Sequence, residues 1–329
     1  MEEKSEKKLE EKLKVITEGL KIAQDNLAKV IIGQEEAIQL ALVTIFAGGH
    51  ALLEGVPGIA KTLMVKALSK IFATSFNRIQ FTPDLMPSDI TGTNIFNLKT
   101  SEFSLVRGPV FSSFVLADEI NRAPAKTQAA LLQAMQEKQV SIDGKTYILP
   151  KNFIVFATQN PIEFEGTYSL PEAMKDRFLV KINVAYPKEE DEITLISNLS
   201  KNSSPEQNLE KVLSKPVLNE EVLTFIKASL NLITVKDELV SYIVRLIRKT
   251  REFPPILLGG SPRASQALLT TSRVLAVLRN RNFVTPDDIK DMAKSVLAHR
   301  LILKPEYEIE GLKIEEVIGE IIKKCEVPR

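Results

Sequence analysis

Residues 55–62 read Gly55-Val56-Pro57-Gly58-Ile59-Ala60-Lys61-Thr62 and follow the apolar run Ala51-Leu52-Leu53. A loop of this make-up can hold a triphosphate. Its glycines let the backbone curl until successive N–H groups point inward, at the start of a helix whose dipole favours anions. A lysine at the position of Lys61 reaches the β- and γ-phosphates, and a hydroxyl at the position of Thr62 binds Mg2+. Ala60 stands where glycine normally precedes the lysine, a harmless change if that residue is already helical. Read alone, the segment would also serve as a glycine-rich turn between a strand and a helix. The second constellation is FVLADE, residues 114–119. Ser113 to Ala117 is apolar enough for a strand buried on both faces of a parallel sheet. Asp118 and Glu119 then emerge at its C-terminal end, where open α/β sheets bind ligands. Asp118 is suited to hold Mg2+ through water, and Glu119 to polarise an attacking water. An isolated acidic pair after a strand would be a solvated turn or a helix cap; the phosphate loop turns the reading towards catalysis.

With these residues in place, the chain resembles the MoxR family of AAA+ ATPases from about Val30 to Ile302. The segments that carry the likeness are IIGQEEAI (31–38), GGHALLEGVPGIAKT (48–62), GPVFSSFVLADEINRAPAKTQAALLQAMQEKQV (108–140), FATQNP (156–161), GTYSLPEAMKDRF (166–178) and GGSPRASQALL (259–269). The resemblance implies an α/β fold: a P-loop NTPase core of the ASCE type, αβα layers around a parallel sheet, followed by an all-helical lid. It implies ATP hydrolysis to ADP and phosphate with Mg2+, in subunits assembled as a ring, with six the expected number.

Further roles carry over by position. Asn160, after the apolar strand FIVFA (153–157), resembles the sensor that aligns the water with the γ-phosphate. Followed by Pro161, it would also suit a turn. Arg177, in DRF, resembles an arginine finger acting on nucleotide in the neighbouring subunit. Such a guanidinium is worth roughly 10³–10⁵ in rate in the best-studied cases. Its plain alternative is a salt bridge with Asp176 or Glu172. Arg263, in Ser261-Pro262-Arg263, falls in the first turn of a helix, where a cation opposes the dipole by roughly 0.3–1 kcal/mol. An anion should compensate it; the resemblance names the γ-phosphate and makes Arg263 the lid sensor. Ile31, Ile32 and Gly33 resemble the apolar adenine cradle, with ordinary packing as the alternative. Arg122 could reach across a subunit boundary or pair with a local carboxylate.

The elements that must hold these groups follow from the pattern. Apolar strands fall at 50–54, 78–81, 113–118, 153–158 and 178–183, with helical segments between most of them, as in a covered parallel sheet. Residues 94–107 and 139–149 read as hairpins, the latter around Asp143-Gly144. The resemblance implies that they are the insertion in the second helix and the hairpin before the first sensor, which in a ring would face the central channel or one rim, with two plain surface hairpins as the alternative. Residues 2–27 read as a charged helix with an apolar stripe at Leu9, Leu13, Ile16, Leu20, Ala23 and Leu27, docking on its own domain or on the next subunit. The resulting layout is an N-terminal helix (1–29), a nucleotide-binding core (30–198), a polar linker (199–216) and a helical lid (217–329). Thr285-Pro286-Asp287-Asp288 is a good helix start within that lid.

The chain has 329 residues and a formal net charge of +1, enough for two domains and without the basic run of a dedicated nucleic-acid surface. The lone cysteine, Cys325, fits a reducing compartment, and His50 and His299 show no metal-ligand spacing. No apolar stretch reaches spanning length; a cytoplasmic location is expected. The leading functional expectation is a chaperone-like remodeller of a protein complex. The resemblance points to partners carrying von Willebrand factor type A domains. A nucleic-acid-directed motor and a nucleotide-dependent binding switch are the alternatives.

Overall fold

The computed structural model describes residues 17–99, 101–160, 168–200 and 204–328. Leu9, Leu13, Ile16 and Pro161 lie outside the described residues. Helix α1 covers 17–30, and α2 runs Glu35–Ala47. Strand β1 (Ala51–Glu54) leads through the phosphate loop into α3 (Lys61–Ile71) and then β2 (Phe76–Gln80). After the short α4 (Pro87–Thr91) come hairpin strands β3 (Gly92–Asn97) and β4 (Glu102–Arg107). Strand β5 (Phe114–Asp118) is followed by α5 (Ala125–Glu137) and a second hairpin, β6 (Gln139–Ile142) with β7 (Lys145–Ile148). Strand β8 (Ile154–Gln159), a short α6 (Glu172–Lys175) and β9 (Val180–Asn183) complete this half.

The central sheet has five strands in the order β2-β5-β8-β1-β9, all parallel. Alternation along each strand decides which face a side chain covers. Leu53, Leu116, Phe156 and Ile182 pack on one side with Met64 and Leu68 of α3. Leu52, Val115, Val155 and Ala157 pack on the other with Leu131, Leu132 and Met135 of α5. Strands β5 and β8 are inner strands and read as continuous apolar runs, whereas β2 lies at an edge and mixes Asn77, Arg78 and Gln80 among its residues. The Asp143-Gly144 turn closes the second hairpin with both residues at positive φ (47° and 76°), the backbone that matches strand twist.

Beyond β9 the chain is helical: α7 (Glu189–Ser200), α8 (Pro205–Val212), α9 (Glu220–Ser229) and α10 (Asp237–Glu252). Strand β10 (Ile256–Leu258), α11 (Pro262–Leu278), α12 (Pro286–Leu297), β11 (Ile302–Leu303), α13 (Pro305–Ile309) and α14 (Ile314–Lys324) follow. Two details differ from the sequence reading. The polar linker contains α8, whose Ser204–Gln207 capping box and one buried side chain, Leu209, suffice to hold it. The lid also carries a two-stranded antiparallel pair, β10 with β11. Thr285 and Asp288 form the expected capping box, and fully buried Asp288 also accepts from Arg279 and Arg281. The described part of the N-terminal stripe, Leu20, Ala23 and Leu27, is buried in the chain's own core. No helix among the described residues is long and apolar enough to cross a membrane.

Candidate functional site

The phosphate loop joins the C-terminal end of β1 to the first turn of α3. At Gly55 a Cβ would lie 2.4 Å from the Val184 carbonyl oxygen, so only glycine lets the loop pass the strand beside it. Gly58 has φ +83° and open space around it, so its glycine serves conformation alone. Ala60 departs from the expectation: it is left-handed (φ 63°, ψ 21°), not helical, and caps α3. The reversal that starts the helix needs this backbone, which costs a non-glycine residue about 1–2 kcal/mol. Lys61 arches back so that Nζ donates to the Gly55 carbonyl at 2.7 Å. Thr62 is the second residue of α3.

Beside the loop lies a cavity of about 510 Å3, walled by Pro57 to Ala60 on one side and by Ile31, Ile32, Tyr186 and Ile196 on the other. Gln34 Nε2 donates to the Ala185 carbonyl at 2.7 Å, tying the Ile31–Gln34 turn to the chain leaving β9. Gly33, at φ +74°, meets the Asp191 carboxylate so closely that a Cβ would lie 2.7 Å from its Oδ2. An apolar slot opening onto backbone N–H groups fits a nucleoside triphosphate.

The acidic pair leaves β5 at the same end of the sheet. Strand order places β8 between β5 and β1, so buried Asn160, just after β8, stands between the acids and the phosphate loop. The acids are two strand spacings, about 10 Å, from β1. Asp118 Oδ1 accepts from Thr158 Oγ1 at 2.5 Å, and Oδ2 accepts from Arg78 Nη2 at 2.6 Å. Glu119 is left-handed (φ 56°, ψ 50°), and its N–H donates to Thr158 Oγ1 at 2.8 Å. Its Oε2 accepts from Gln80 Nε2 at 2.8 Å and lies 3.4 Å from Arg122 Nη1. Arg122 therefore pairs with a local carboxylate, one of its two expected partners. The sequence reading missed Arg78, Gln80 and Thr158; the only available signal was polar residues interrupting two strands.

No cluster of three or more His, Cys, Asp or Glu side chains suited to a metal occurs among the described residues. Thr62 and Asp118 instead offer hard oxygens beside the phosphate cradle. That donor set fits Mg2+, which keeps several waters and shares itself between one or two protein groups and substrate phosphates. Both histidines are structural. His50 is buried, takes the Val155 N–H on Nδ1 at 2.9 Å, and is pushed down to about 4 by desolvation. His299 donates from Nε2 to the Phe178 carbonyl at 2.9 Å, and burial holds its pKa well below the usual range.

Two predicted residues lie elsewhere. Arg177 and Arg263 line a separate cavity of about 370 Å3 with Gly48 to His50. Those residues precede β1, and Arg177 precedes β9, so this cavity sits at the N-terminal edge of the sheet, opposite the phosphate loop. Arg177 Nη1 donates to the Leu132 carbonyl at 3.1 Å. Its expected salt-bridge partners are engaged otherwise: Asp176 with Arg300 Nε at 2.9 Å, and Glu172 with Lys175 at 3.0 Å. Arg263, with a side chain 54% exposed, lies 4.0 Å from Asp176, which supplies the anion that a cation in a first helical turn requires. The structure thus brings Lys61, Thr62, Asp118, Glu119, Asn160, Ile31 and Ile32 to one end of the sheet, and Arg177 and Arg263 to the other.

Residues 50–180 match the family "ATPase family associated with various cellular activities (AAA)", and residues 248–321 match the AAA lid domain. The chain is 45% identical to the uncharacterized protein YeaC of Bacillus subtilis, over 93% of this chain and 94% of the other. It is 42% identical to the chaperone MoxR1 of Mycobacterium tuberculosis, over 92% of this chain and 80% of the other. Protein MoxR of Methylorubrum extorquens is 31% identical, over 88% and 89% respectively. A crystal structure of a protein from Cytophaga hutchinsonii superposes with a TM-score of 0.90 at 42% identity, covering 99% of each chain.

Proposed function

Since the chain belongs to the MoxR family of AAA+ ATPases, we propose that it hydrolyses ATP to ADP and phosphate at the cavity beside Lys61. The observation that carries this reading is the strand order, which sets Asn160 between the acidic pair and the phosphate loop. In the proposed mechanism, adenine lies against Ile31 and Ile32, and the N–H groups of residues 56–62 surround the phosphates. Lys61 exchanges the Gly55 carbonyl for the β- and γ-phosphate oxygens. Thr62 and Asp118 hold Mg2+, which when bound neutralises charge on the phosphate oxygens. Glu119 accepts a proton from the attacking water, and Asn160 orients that water without adding charge.

Arg177 cannot serve the nucleotide of its own chain. The four residues of β1 separate its two ends by about 13 Å, and Arg177 lies beyond the far end. On this proposal a neighbouring copy receives it, with Arg263 beside it, and the active site is then a property of a ring, taken here as a hexamer. The client is a protein complex, and a partner with a von Willebrand factor type A domain is the class that the family resemblance supplies. In favour of a protein client, the two hairpins expose aliphatic and aromatic side chains, including Leu98 (85%), Phe103 (73%) and Ile148 (82%). A cytoplasmic setting completes the proposal.

Glu119→Gln tests the chemistry. The variant should bind ATP with Mg2+ and hydrolyse it about 10²–10⁴-fold more slowly than the wild type. Near-normal turnover would assign the proton to another base. Lys61→Ala should lose nucleotide binding itself.

A further inference from the structure

Edge strand β2 sends a charge onto the acidic pair for which the mechanism above has no use. Arg78 donates twice to the same oxygen, Asp118 Oδ2, from Nε at 3.0 Å and from Nη2 at 2.6 Å. The same Nη2 donates to Gln80 Oε1 at 2.5 Å, and Gln80 passes a hydrogen bond on to Glu119 at 2.8 Å. With Thr158 on Oδ1, both oxygens of Asp118 are occupied. A guanidinium cannot shed its charge at any ordinary pH. A carboxylate oxygen that already accepts two hydrogen bonds from a cation is a poor partner for a second, divalent one nearby. The two cations also repel each other.

We propose that Arg78 is an internal competitor for the divalent cation at Asp118. It is a positioning residue that holds the carboxylate while the cation is away and leaves when the cation arrives. This rests on the reading of Asp118 as the magnesium carboxylate. The geometry permits the exchange. The Arg78 side chain is 48% exposed while that of Asp118 is 13% exposed, so the arginine has water to swing into and the carboxylate stays in place. Among the described residues strand β2 has no neighbouring strand on its outer side, so nothing in the described sheet blocks that movement. Once freed, Arg78 also releases Gln80, and with it one of the donors on Glu119. Arrival of the cation would then free both carboxylates together.

The test is a Mg2+ titration of nucleotide binding, read by fluorescence of a labelled ATP analogue, with an EDTA baseline. Wild type, Arg78→Ala and Arg78→Gln are compared, and thermal unfolding establishes which variants are folded. A half-exposed ion pair is weak, so its removal should lower the Mg2+ concentration for half-maximal gain by about two- to fivefold. Arg78→Lys should fall between, because it keeps the charge and loses the double donation. An unchanged or raised Mg2+ requirement in both folded neutral variants overturns the proposal and makes Arg78 a support of the metal carboxylate. Binding in the wild type that ignores Mg2+ would instead bring down the reading of the site itself.

Discussion

If Arg177 acts across a subunit boundary, two inactive variants should rescue one another. On the proposed roles, Lys61→Ala should fail to bind nucleotide but still present Arg177, whereas Arg177→Ala should bind nucleotide but present no finger. In a ring assembled at random from equal amounts, an interface is competent only when an Arg177→Ala subunit holds the nucleotide and a Lys61→Ala subunit stands beside it. That arrangement occurs at roughly one interface in four when each position is filled independently. The mixture should therefore hydrolyse ATP at about a quarter of the wild-type rate per interface, from components that are each reduced by about 10³ or more. The geometry behind this is the separation of the two sets across β1, with Lys61 after its C-terminal end and Arg177 at the N-terminal end of neighbouring β9. Phosphate release would be followed against mixing ratio after exchange of subunits, with sedimentation confirming that mixed assemblies form. A bell-shaped curve peaking near equal amounts is expected. Mixed assemblies that hydrolyse no faster than their components would refute the trans placement.

Two further predictions concern stability. Ala60→Gly should relieve the left-handed strain at the start of α3 (φ 63°) and raise stability by about 0.5–1 kcal/mol, after allowance for the looser unfolded chain. The urea midpoint without nucleotide measures this, and a lowered midpoint would mean that the loop holds alanine without strain. The second prediction concerns pH. Desolvation lowers His50 from 6.5 to about 4 in the fold, so the unfolded chain takes up the proton first. Its contribution is complete above pH 6.5 and is lost as pH falls from there towards 4, in total about 3 kcal/mol, with His299 acting in the same direction. His50→Asn can still accept from the Val155 N–H and should flatten the decline; parallel curves for the two proteins would exclude His50 as the cause.

What the sequence disclosed depended on whether the information was contiguous. Strands β5 and β8 announce themselves because inner parallel strands are apolar on both faces, and Asp143-Gly144 marks its hairpin because few dipeptides accept two positive φ values. The phosphate loop and the acidic pair are likewise unbroken segments. Arg78 and Thr158 are not. Their meaning depends on a register that joins distant segments, with Gln80 opposite Asp118 and Leu116 opposite Phe156. No local pattern encodes which strand neighbours which. The pairing of β10 with β11 was hidden for the same reason, since Ile256 and Leu303 meet only after the intervening helices have packed. Ala60 shows a different limit: the residue type was plain, but its left-handed backbone contradicted the conformation that would have made alanine harmless.

The position of Arg263 changes what movement of the lid can accomplish. A hinge in the polar stretch 199–216 would move Arg263 relative to Lys61. In the structure the start of α11 is fixed to the segment that bears Arg177 instead. Ser261 Oγ donates to Asp176 Oδ2 at 3.0 Å, and Arg300, 7% exposed, donates to Asp176 at 2.9 Å and to the Leu179 carbonyl at 3.0 Å. Breaking a set of this kind is costly, because it would leave a nearly buried guanidinium without its carboxylate. Any displacement of the lid is therefore passed first to Asp176 and to its neighbour Arg177, at the edge of the sheet that faces away from the chain's own phosphate loop. On the trans reading, the lid of one subunit then governs hydrolysis in the next. Each nucleotide site would sense the posture of its neighbour, which gives a ring a physical basis for firing its sites in sequence.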